Sequence, residues 1–313
     1  MKTNTPPNLY KYLSVNENTI ETLIKQEVYY SDPINFNDPL DCKPVITVDV
    51  EMDVLKRVMC DLLRKRQEKE FMQLAKKLHA REDSISNRVV ALAETEIMKF
   101  LNEVKYNASE YDSDAAVNFI KEQYTQAIEN EILSVFKKGV LCLSKKFNSP
   151  LMWSHYANNH RGICVEYDMT DVDEGTVKKI IYGGSRSLKV SLIDAWLTTG
   201  EMPSEIEQVC LLTKSSEWSY ENEWRMFGRI GVGGIQSKIR SVIFGMHCKE
   251  TTIIAVINSL YNSRHRPKFW KIYNPRGGFE LKRNRIHPED YKDIYSNMLT
   301  YGEIKEIFGS GDD

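Results

Sequence analysis

The sequence predicts an α+β fold, in which one mixed and mainly antiparallel sheet carries a helical insertion. Short apolar runs typical of strands occur before about residue 48 and again after Gly139. Between them, a stretch from about Met52 to Lys138 is rich in Lys, Glu, Leu and Ala and has apolar residues at helical spacing. We therefore expect an α+β core domain over residues 1–48 and 139–313, and a helical insertion over residues 49–138.

The individual elements follow from local patterns. Two Asp-Pro turns, at Asp32 and Asp38, separate the first strands from the insertion. Short apolar runs bounded by turn residues predict strands at residues 9–13, 28–31, 140–143, 162–167, 177–182, 223–230 and 239–245, and a hairpin at 269–273 and 279–281. Helical spacing predicts helices at residues 19–26, 188–197, 203–214 and 250–263, with a helix-rich tail.

Composition and charge exclude several classes of protein. The net charge of −2 argues against an obligate nucleic-acid binder, although it leaves room for a local basic patch. No apolar run approaches the length of a membrane helix and the N-terminus has no apolar leader, so we expect no membrane partner and a cytoplasmic protein. The Gly231–Gly234 run lacks the order of a dinucleotide-binding loop and predicts a hairpin or a loop.

The segment from Ser149 to Asp168 combines aromatic and polar residues that are costly to bury without hydrogen-bond partners. Pro150 and Gly162 predict a short helix that leads into a strand. His155 and His160 are five residues apart, about 140° around a helix, so no metal site is predicted. We interpret the segment as a recognition wall shaped by three of its side chains, Trp153, His155 and Tyr156.

A second candidate lies in the stretch from Trp218 to Met226. If it is extended, Glu221, Glu223 and Arg225 share one face, and the aromatic residues share the other. Two carboxylates in a partly enclosed site can have different pKa values, which suits acid–base chemistry. The alternative is an amphipathic strand whose outer face carries a glutamate–Arg225 ion pair worth at most about 1 kcal/mol.

A third candidate is an N-terminal patch. Lys11 is flanked by Tyr10 and Tyr12 and is expected on the strand face opposite to them. Asn37 and Asp38 follow closely and are polar enough to join a site. The alternative is that these two residues only form the turn.

Four motifs together resemble a known family. They are LYKYLS (residues 9–14), VYYSDPINFNDPLDC (28–42), VLCLSKKFNSPLMWSHYANNHRGICVEYD (140–168) and WSYENEWRM (218–226). In this order they resemble a bacterial domain-of-unknown-function family, number 2971, with its NDPxD turn, LMWSHY block and ExEWR strand. The resemblance runs over about residues 9 to 245 and leaves out the helical insertion.

The order of a basic strand residue, a strand serine and an E-x-E pair is also similar to that of ADP-ribosyltransferases of the Arg-Ser-Glu type. Lys11 stands in place of their arginine, and Ser144-Lys145-Lys146 in place of their Ser-Thr-Ser. The resemblance implies NAD as substrate, with Glu223 stabilising an oxocarbenium-like state and Glu221 orienting or deprotonating the acceptor. The residues implied in NAD binding are Lys11, Tyr12, Asn37, Asp38, Ser144, Trp153, His155, Tyr156 and Arg161.

We therefore expect an ADP-ribosyl-transferring or NAD-cleaving enzyme, in the role of a bacterial toxin or phage-defence effector, with an unidentified acceptor macromolecule. One alternative is a metal-dependent nuclease or phosphoesterase that holds Mg²⁺ with Asp38, Asp41, Glu166 and Glu221 or Glu223. Another is a non-enzymatic module that binds a nucleotide or a protein.

Overall fold

The computed structural model describes residues 5–77, 82–136, 138–173, 175–261 and 266–291. The strands are β1 (Asn8–Leu13), β2 (Glu27–Tyr30), β3 (Val45–Thr47), β4 (Lys138–Ser144), β5 (Ile163–Asp168), β6 (Val177–Lys179), β7 (Ile181–Tyr182), β8 (Ser187–Lys189), β9 (Thr213–Lys214), β10 (Glu223–Arg229), β11 (Gly231–Gly234), β12 (Lys238–Phe244), β13 (Lys268–Tyr273) and β14 (Lys282–Ile286). The α-helices are α1 (Glu17–Lys25), α2 (Met52–Lys77), α3 (Glu82–Ala108), α4 (Ser113–Phe136), α5 (Pro150–Tyr156), α6 (Val190–Thr199), α7 (Ser204–Leu211) and α8 (Glu250–Tyr261).

The predicted α+β class is confirmed by an eight-stranded sheet with the order β14-β13-β12-β5-β1-β4-β10-β6. Its strands pair antiparallel except β12 and β13, which are parallel and connected through α8. This sheet belongs to a compact unit that consists of the described residues up to Asp32, Lys138–Tyr182 and those from Ser216 onward.

The two faces of this sheet bury different side chains. On one, here called the α8 face, residues such as Leu9, Val165 and Trp224 pack with apolar residues of α1 and α8. On the other, here called the α5 face, Tyr12 and Ile243 pack with residues of α5 and its flanks. Because side chains alternate along a strand, each strand residue is assigned to one of these faces by its position.

A second compact unit comprises the described residues between Pro33 and Phe136 together with Gly183–Ser215. The three long helices α2, α3 and α4 pack together there, and β3 pairs in parallel with β8. Ion pairs such as Arg64–Glu94 at 2.8 Å link neighbouring helices. The predicted division at residues 49 and 138 stays a prediction, and this unit also contains residues 33–48 and 183–215.

Some predicted elements differ from the observed ones. The 177–182 segment forms two short strands, and Gly231–Gly234, predicted as a hairpin or a loop, is a strand paired with β2. Leu92, one of the apolar residues at helical spacing in the insertion, is 45% exposed. The helix-rich tail falls on residues beyond 291, outside the described part of the chain. Within the described ranges, no helix has the length and apolar character needed to cross a membrane.

Candidate functional site

The large sheet divides between β1 and β4. Strand β1 pairs with β5 along six consecutive residues, but the described register between β1 and β4 contains the single pair Tyr10–Ser144. Further along, β4 instead pairs with Ser31, which exchanges two backbone hydrogen bonds of 2.9 and 2.8 Å with Val140. The two strands therefore separate just where antiparallel pairing would continue from Tyr10–Ser144.

A cavity of about 660 Å³ lies at this division. Lys11 and Leu13 line it from β1, Leu141 from β4 and Tyr156 from the end of α5. Other walls come from α1 and β2. The volume is in the range of small-molecule sites, and an apolar lining with a few polar groups is typical of them. This is the candidate site.

Lys11 is one of four charged residues that line the cavity, together with Glu21, Lys25 and Glu27, and it does so from the α8 face. Its Cα partner on β5 is Val165, so its side chain lies opposite to those of Tyr10 and Tyr12, as predicted. Burial raises the pKa of the Cys142 thiol, and the charge of Glu223 raises this pKa further. The charges of Arg225 and Lys11 act in the opposite direction. Lys11 is therefore within electrostatic reach of the neighbouring strand β4.

Glu221 is connected to the cavity through Tyr156. The Tyr156 hydroxyl donates a 2.6 Å hydrogen bond to Oε1 of Glu221, whose side chain is buried. The predicted strand from residue 223 is confirmed, but the extended conformation that would place Glu221 on the same face is not observed, because Ser216–Glu221 forms a 3-10 helix and the left-handed Asn222 precedes β10. The carboxylate thus reaches Tyr156 from a turn.

Ser144 fixes this turn to the sheet. Its hydroxyl donates a 2.5 Å hydrogen bond to the carbonyl of Glu221 and accepts one from the backbone N–H of Lys146 at 3.1 Å. The backbone N–H of Lys145 also donates to the carbonyl of Asn222. These contacts show Ser144 positioning the Glu221 segment.

Glu223 and Arg225 form a buried ion pair. Nε and Nη2 of Arg225 donate to the two carboxylate oxygens of Glu223 at 2.7 and 3.3 Å. The predicted shared face is confirmed for these two residues, but Arg225 has 0% exposure, so this is not the solvent-facing pair of the alternative interpretation. Glu223 is aligned with Ser144 and Tyr10 across three strands on the α5 face.

Trp153 is a core residue. It is fully buried, its indole N–H donates a 2.8 Å hydrogen bond to the carbonyl of Phe147, and its ring contacts Tyr12 edge-on at 5.3 Å. The Tyr12 hydroxyl is likewise engaged, donating to the carbonyl of Lys146 at 2.8 Å. The expectation that Trp153 shapes a recognition wall is therefore wrong, because its ring is enclosed by the protein.

His155 is exposed and belongs to an aromatic cluster whose other rings are half-buried. Its Nδ1 lies 3.0 Å from the Tyr220 hydroxyl, and its ring meets those of Trp218, Tyr220 and Tyr156 at centroid distances of 6.4, 6.0 and 6.1 Å. Helix α5, capped by Ser149, ends at Tyr156. His160 follows this end and stacks instead on Trp153.

The remaining predicted residues lie elsewhere. Arg161 is exposed in the turn before β5. Asn37 and Asp38 belong to the second unit, where Oδ1 of Asp38 accepts a 2.9 Å hydrogen bond from the Leu40 backbone N–H, as a turn residue does. Asp41 is buried 3.5 Å from Lys214. Among the residues that the structure describes, no three His, Cys, Asp or Glu side chains are grouped to hold a metal ion.

Sequence reasoning considered Glu166 only as a metal ligand, whereas the structure makes it the centre of a buried network. The Glu166 carboxylate accepts hydrogen bonds from Tyr10 at 3.2 Å, from Arg283 at 3.0 Å and from Ser241. Burial, together with the charge of Glu166, raises the pKa of Tyr10 well above its usual value. A glutamate within the apolar run of β5 was the available signal in the sequence.

Comparison with known proteins gives one match. Residues 152–226 match the model of a family described as a protein of unknown function, DUF2971. This match supports the family resemblance and covers most of α5, the Glu221 turn and the start of β10. No curated protein and no solved structure matches the chain.

Proposed function

We propose that this chain binds an NAD-type dinucleotide in the cavity between β1 and β4 and cleaves its nicotinamide–ribose bond. ADP-ribose then passes to water or to an acceptor macromolecule. The observation that supports this most is the placement of Lys11 and Tyr156 on one cavity, with Tyr156 joined to the buried carboxylate of Glu221.

The proposed binding rests on size, charge and shape. A cavity of about 660 Å³ is large enough for much of a dinucleotide. Lys11 supplies a positive charge for the pyrophosphate, and a contact at about 4 Å near a protein surface is worth roughly 4 kcal/mol before desolvation. The backbone edges of β1 and β4, which diverge after Tyr10–Ser144, offer polar groups beside it.

The proposed chemistry uses the Tyr156–Glu221 pair. When the C1′–N1 bond breaks, its electron pair leaves with nicotinamide and the ribose becomes oxocarbenium-like. The Tyr156 oxygen, polarised by its hydrogen bond to Glu221, stabilises the positive charge. Water or an acceptor nucleophile then adds to C1′, and its proton passes through the tyrosine hydroxyl to Glu221. Glu223, whose carboxylate is held by the Arg225 guanidinium, acts as a positioning residue.

The test is release of nicotinamide from NAD, followed by chromatography and mass spectrometry. We expect release by the wild-type chain, alone or with bacterial cell extract as acceptor, and a loss of about 100-fold in Tyr156→Phe and Glu221→Gln. Tyr273→Phe, which removes a hydroxyl from the distant strand β13, is the matched control and should keep full activity. Release no greater than an NAD-only blank in both settings would show that the proposal is wrong.

Nucleotide binding without cleavage is a second candidate, and the Glu223–Arg225 pair favours it. Glu223, to which the ADP-ribosyltransferase resemblance gives the charge-stabilising role, is already held by the Arg225 guanidinium and is therefore less available to a developing cation. Calorimetric titration with NAD and with ADP-ribose separates the two functions. Binding of both ligands by the wild type, lost in Lys11→Met and kept in Lys249→Met, without nicotinamide release would establish the binding module.

A role as a toxin or phage-defence effector follows from the enzymatic proposal, because cleavage of NAD or modification of an essential acceptor would harm a cell. Expression of wild type and of Glu221→Gln in bacteria tests it. We expect the wild type to lower cellular NAD or to label a cell component with ADP-ribose, and we expect Glu221→Gln to do neither.

A further inference from the structure

The β13–β14 hairpin is strongly basic although the chain as a whole carries a net charge of −2. Between Lys268 and Ile286 there are six cationic residues and one acidic residue, Glu280, which gives a local net charge of +5. The cations are Lys268, Lys271, Arg276, Lys282, Arg283 and Arg285. Such a concentration at the edge of a sheet is the electrostatic footprint of a polyanion-binding surface.

Two of these cations, Arg283 and Arg285, lie among aromatic rings on the α5 face of the hairpin, whereas Lys271 and Lys282 lie on its other face. The Arg283 guanidinium lies over the rings of Phe147 and Trp270, at 4.5 and 4.6 Å from their centroids. Arg285 lies over Trp270 at 5.3 Å and is its Cα partner across the two strands. Arg283 is also held by the buried carboxylate of Glu166 at 3.0 Å. This part of the surface is therefore pre-arranged rather than formed by loose side chains.

The tip of the hairpin presents an exposed ring. Phe279 is 94% exposed, which is the highest exposure among the large apolar residues of the described chain. The loop that carries it is fixed by Asn274, whose side-chain amide donates to the carbonyls of Gly278 and Glu280 at 2.8 and 3.0 Å. Exposed cations, Arg276 and Lys282, lie on either side of Phe279 in sequence.

We propose that the β13–β14 hairpin binds single-stranded nucleic acid, with Phe279 stacking on a base and the surrounding cations contacting the phosphates. Proteins that bind single strands combine a basic track with aromatic platforms, since each base has an exposed π-face. A duplex hides these faces, so the ring at the tip favours a single strand. The proposal does not depend on NAD cleavage, because it concerns a different surface of the sheet.

The test is fluorescence anisotropy with a labelled oligothymidine of about 12 nucleotides. We expect binding that weakens as salt rises, and a loss of roughly 5- to 150-fold in Phe279→Ala, which is the factor that corresponds to the loss of stacking on one aromatic side chain. Tyr106→Ala, which removes an exposed ring from α3, is the matched aromatic control and should bind as the wild type does.

Charge reversal distinguishes binding by the hairpin from binding that depends only on the net charge of the protein. Lys282→Glu with Arg285→Glu should lower affinity and make the slope of log K against log salt shallower by about 1.4, or about 0.7 per lost phosphate contact. Lys105→Glu with Lys121→Glu makes the same charge change on exposed helical positions and should leave both quantities unchanged. Circular dichroism checks that each variant is folded.

Three results would overturn the proposal. One is the absence of oligonucleotide binding at low salt, and the second is equal losses in the hairpin and the helix charge variants. The third is Phe279-dependent binding to phosphatidylserine vesicles with no oligonucleotide binding, which would assign the surface to a membrane. Equal competition by a blunt-ended duplex would show that Phe279 does not stack on a base, because stacked base pairs cannot accept its ring.

Discussion

The Tyr156 hydroxyl donates a 2.6 Å hydrogen bond to the Glu221 carboxylate and so links the end of α5 to the turn before β10, 65 residues further along the chain. Glu221 has a side chain only 3% exposed, so each donor to it matters for stability. A hydrogen bond to a charged group contributes about 1.5–3 kcal/mol.

Tyr156→Phe is therefore expected to lower the free energy of unfolding by about 1.5–3 kcal/mol, measured by urea denaturation. Tyr273→Phe is the control, because its exposed hydroxyl lies on β13. A change below about 0.5 kcal/mol in Tyr156→Phe would contradict the expected role of this hydrogen bond.

The buried pair of Glu223 and Arg225 predicts that removing one of the two charges lowers stability more than removing both. Arg225→Met leaves a buried carboxylate without its charge partner and is expected to cost about 3–5 kcal/mol. The double variant Glu223→Leu with Arg225→Met removes both charges and should recover most of this loss. Exposed Arg229→Met serves as the control for the loss of an arginine on the same strand. A double variant less stable than Arg225→Met would mean that the pair itself, and not charge burial, dominates.

Gly162 allows close approach of the chain at the start of β5. A Cβ atom there would lie 2.2 Å from the carbonyl oxygen of Leu13 and 3.0 Å from the carbonyl of Ala157. Because these atoms are backbone, Gly162→Ala is expected to destabilise by at least about 1–3 kcal/mol. Gly234→Ala, with open space around its Cβ, should stay within about 0.5 kcal/mol of wild type in the same thermal or urea measurement.

His160 predicts acid sensitivity. Burial, and then the charge of His247, lowers its pKa, and no partner for its buried Nδ1 is found in the described part of the chain. Because the unfolded state binds the proton more tightly, the stabilisation is complete above the unfolded pKa of about 6.5 and is lost as pH falls below it.

The measurement is the unfolding free energy between about pH 8 and pH 5. His160→Asn should flatten the acid decline, since Asn does not titrate and tolerates the left-handed backbone of this position, φ 65°. His287→Asn, at an exposed position, should keep the wild-type decline. Identical pH profiles for wild type and His160→Asn would contradict the assignment.

Alternation along single strands was readable from the sequence. It correctly separated Lys11 from Tyr10 and Tyr12, and it correctly joined Glu223 with Arg225 on one face. It failed for Glu221, because Ser216–Glu221 forms a 3-10 helix and Asn222 adopts a left-handed conformation, so the extended pattern begins only at Glu223.

Burial was harder to predict than position. The polar block around Trp153 suggested a wall, yet the Trp153 ring is enclosed because its N–H is satisfied by the carbonyl of Phe147. The exposed His155 and the half-buried His160 come from the same short block. Such differences depend on hydrogen-bond partners that other segments provide, and spacing does not report these partners.

The sequence by itself determined the α+β class, the order of most strands and helices along the chain, and a family resemblance that the match over residues 152–226 supports. These follow from local periodicity and turn residues, which act over a few positions. Only the tertiary structure decided that β1 and β4 separate after Tyr10–Ser144, and that Tyr156 meets Glu221 beside the resulting cavity. Strand neighbours and long-range hydrogen bonds depend on how distant segments pack, because register is set by the fit of whole faces and not by any one strand.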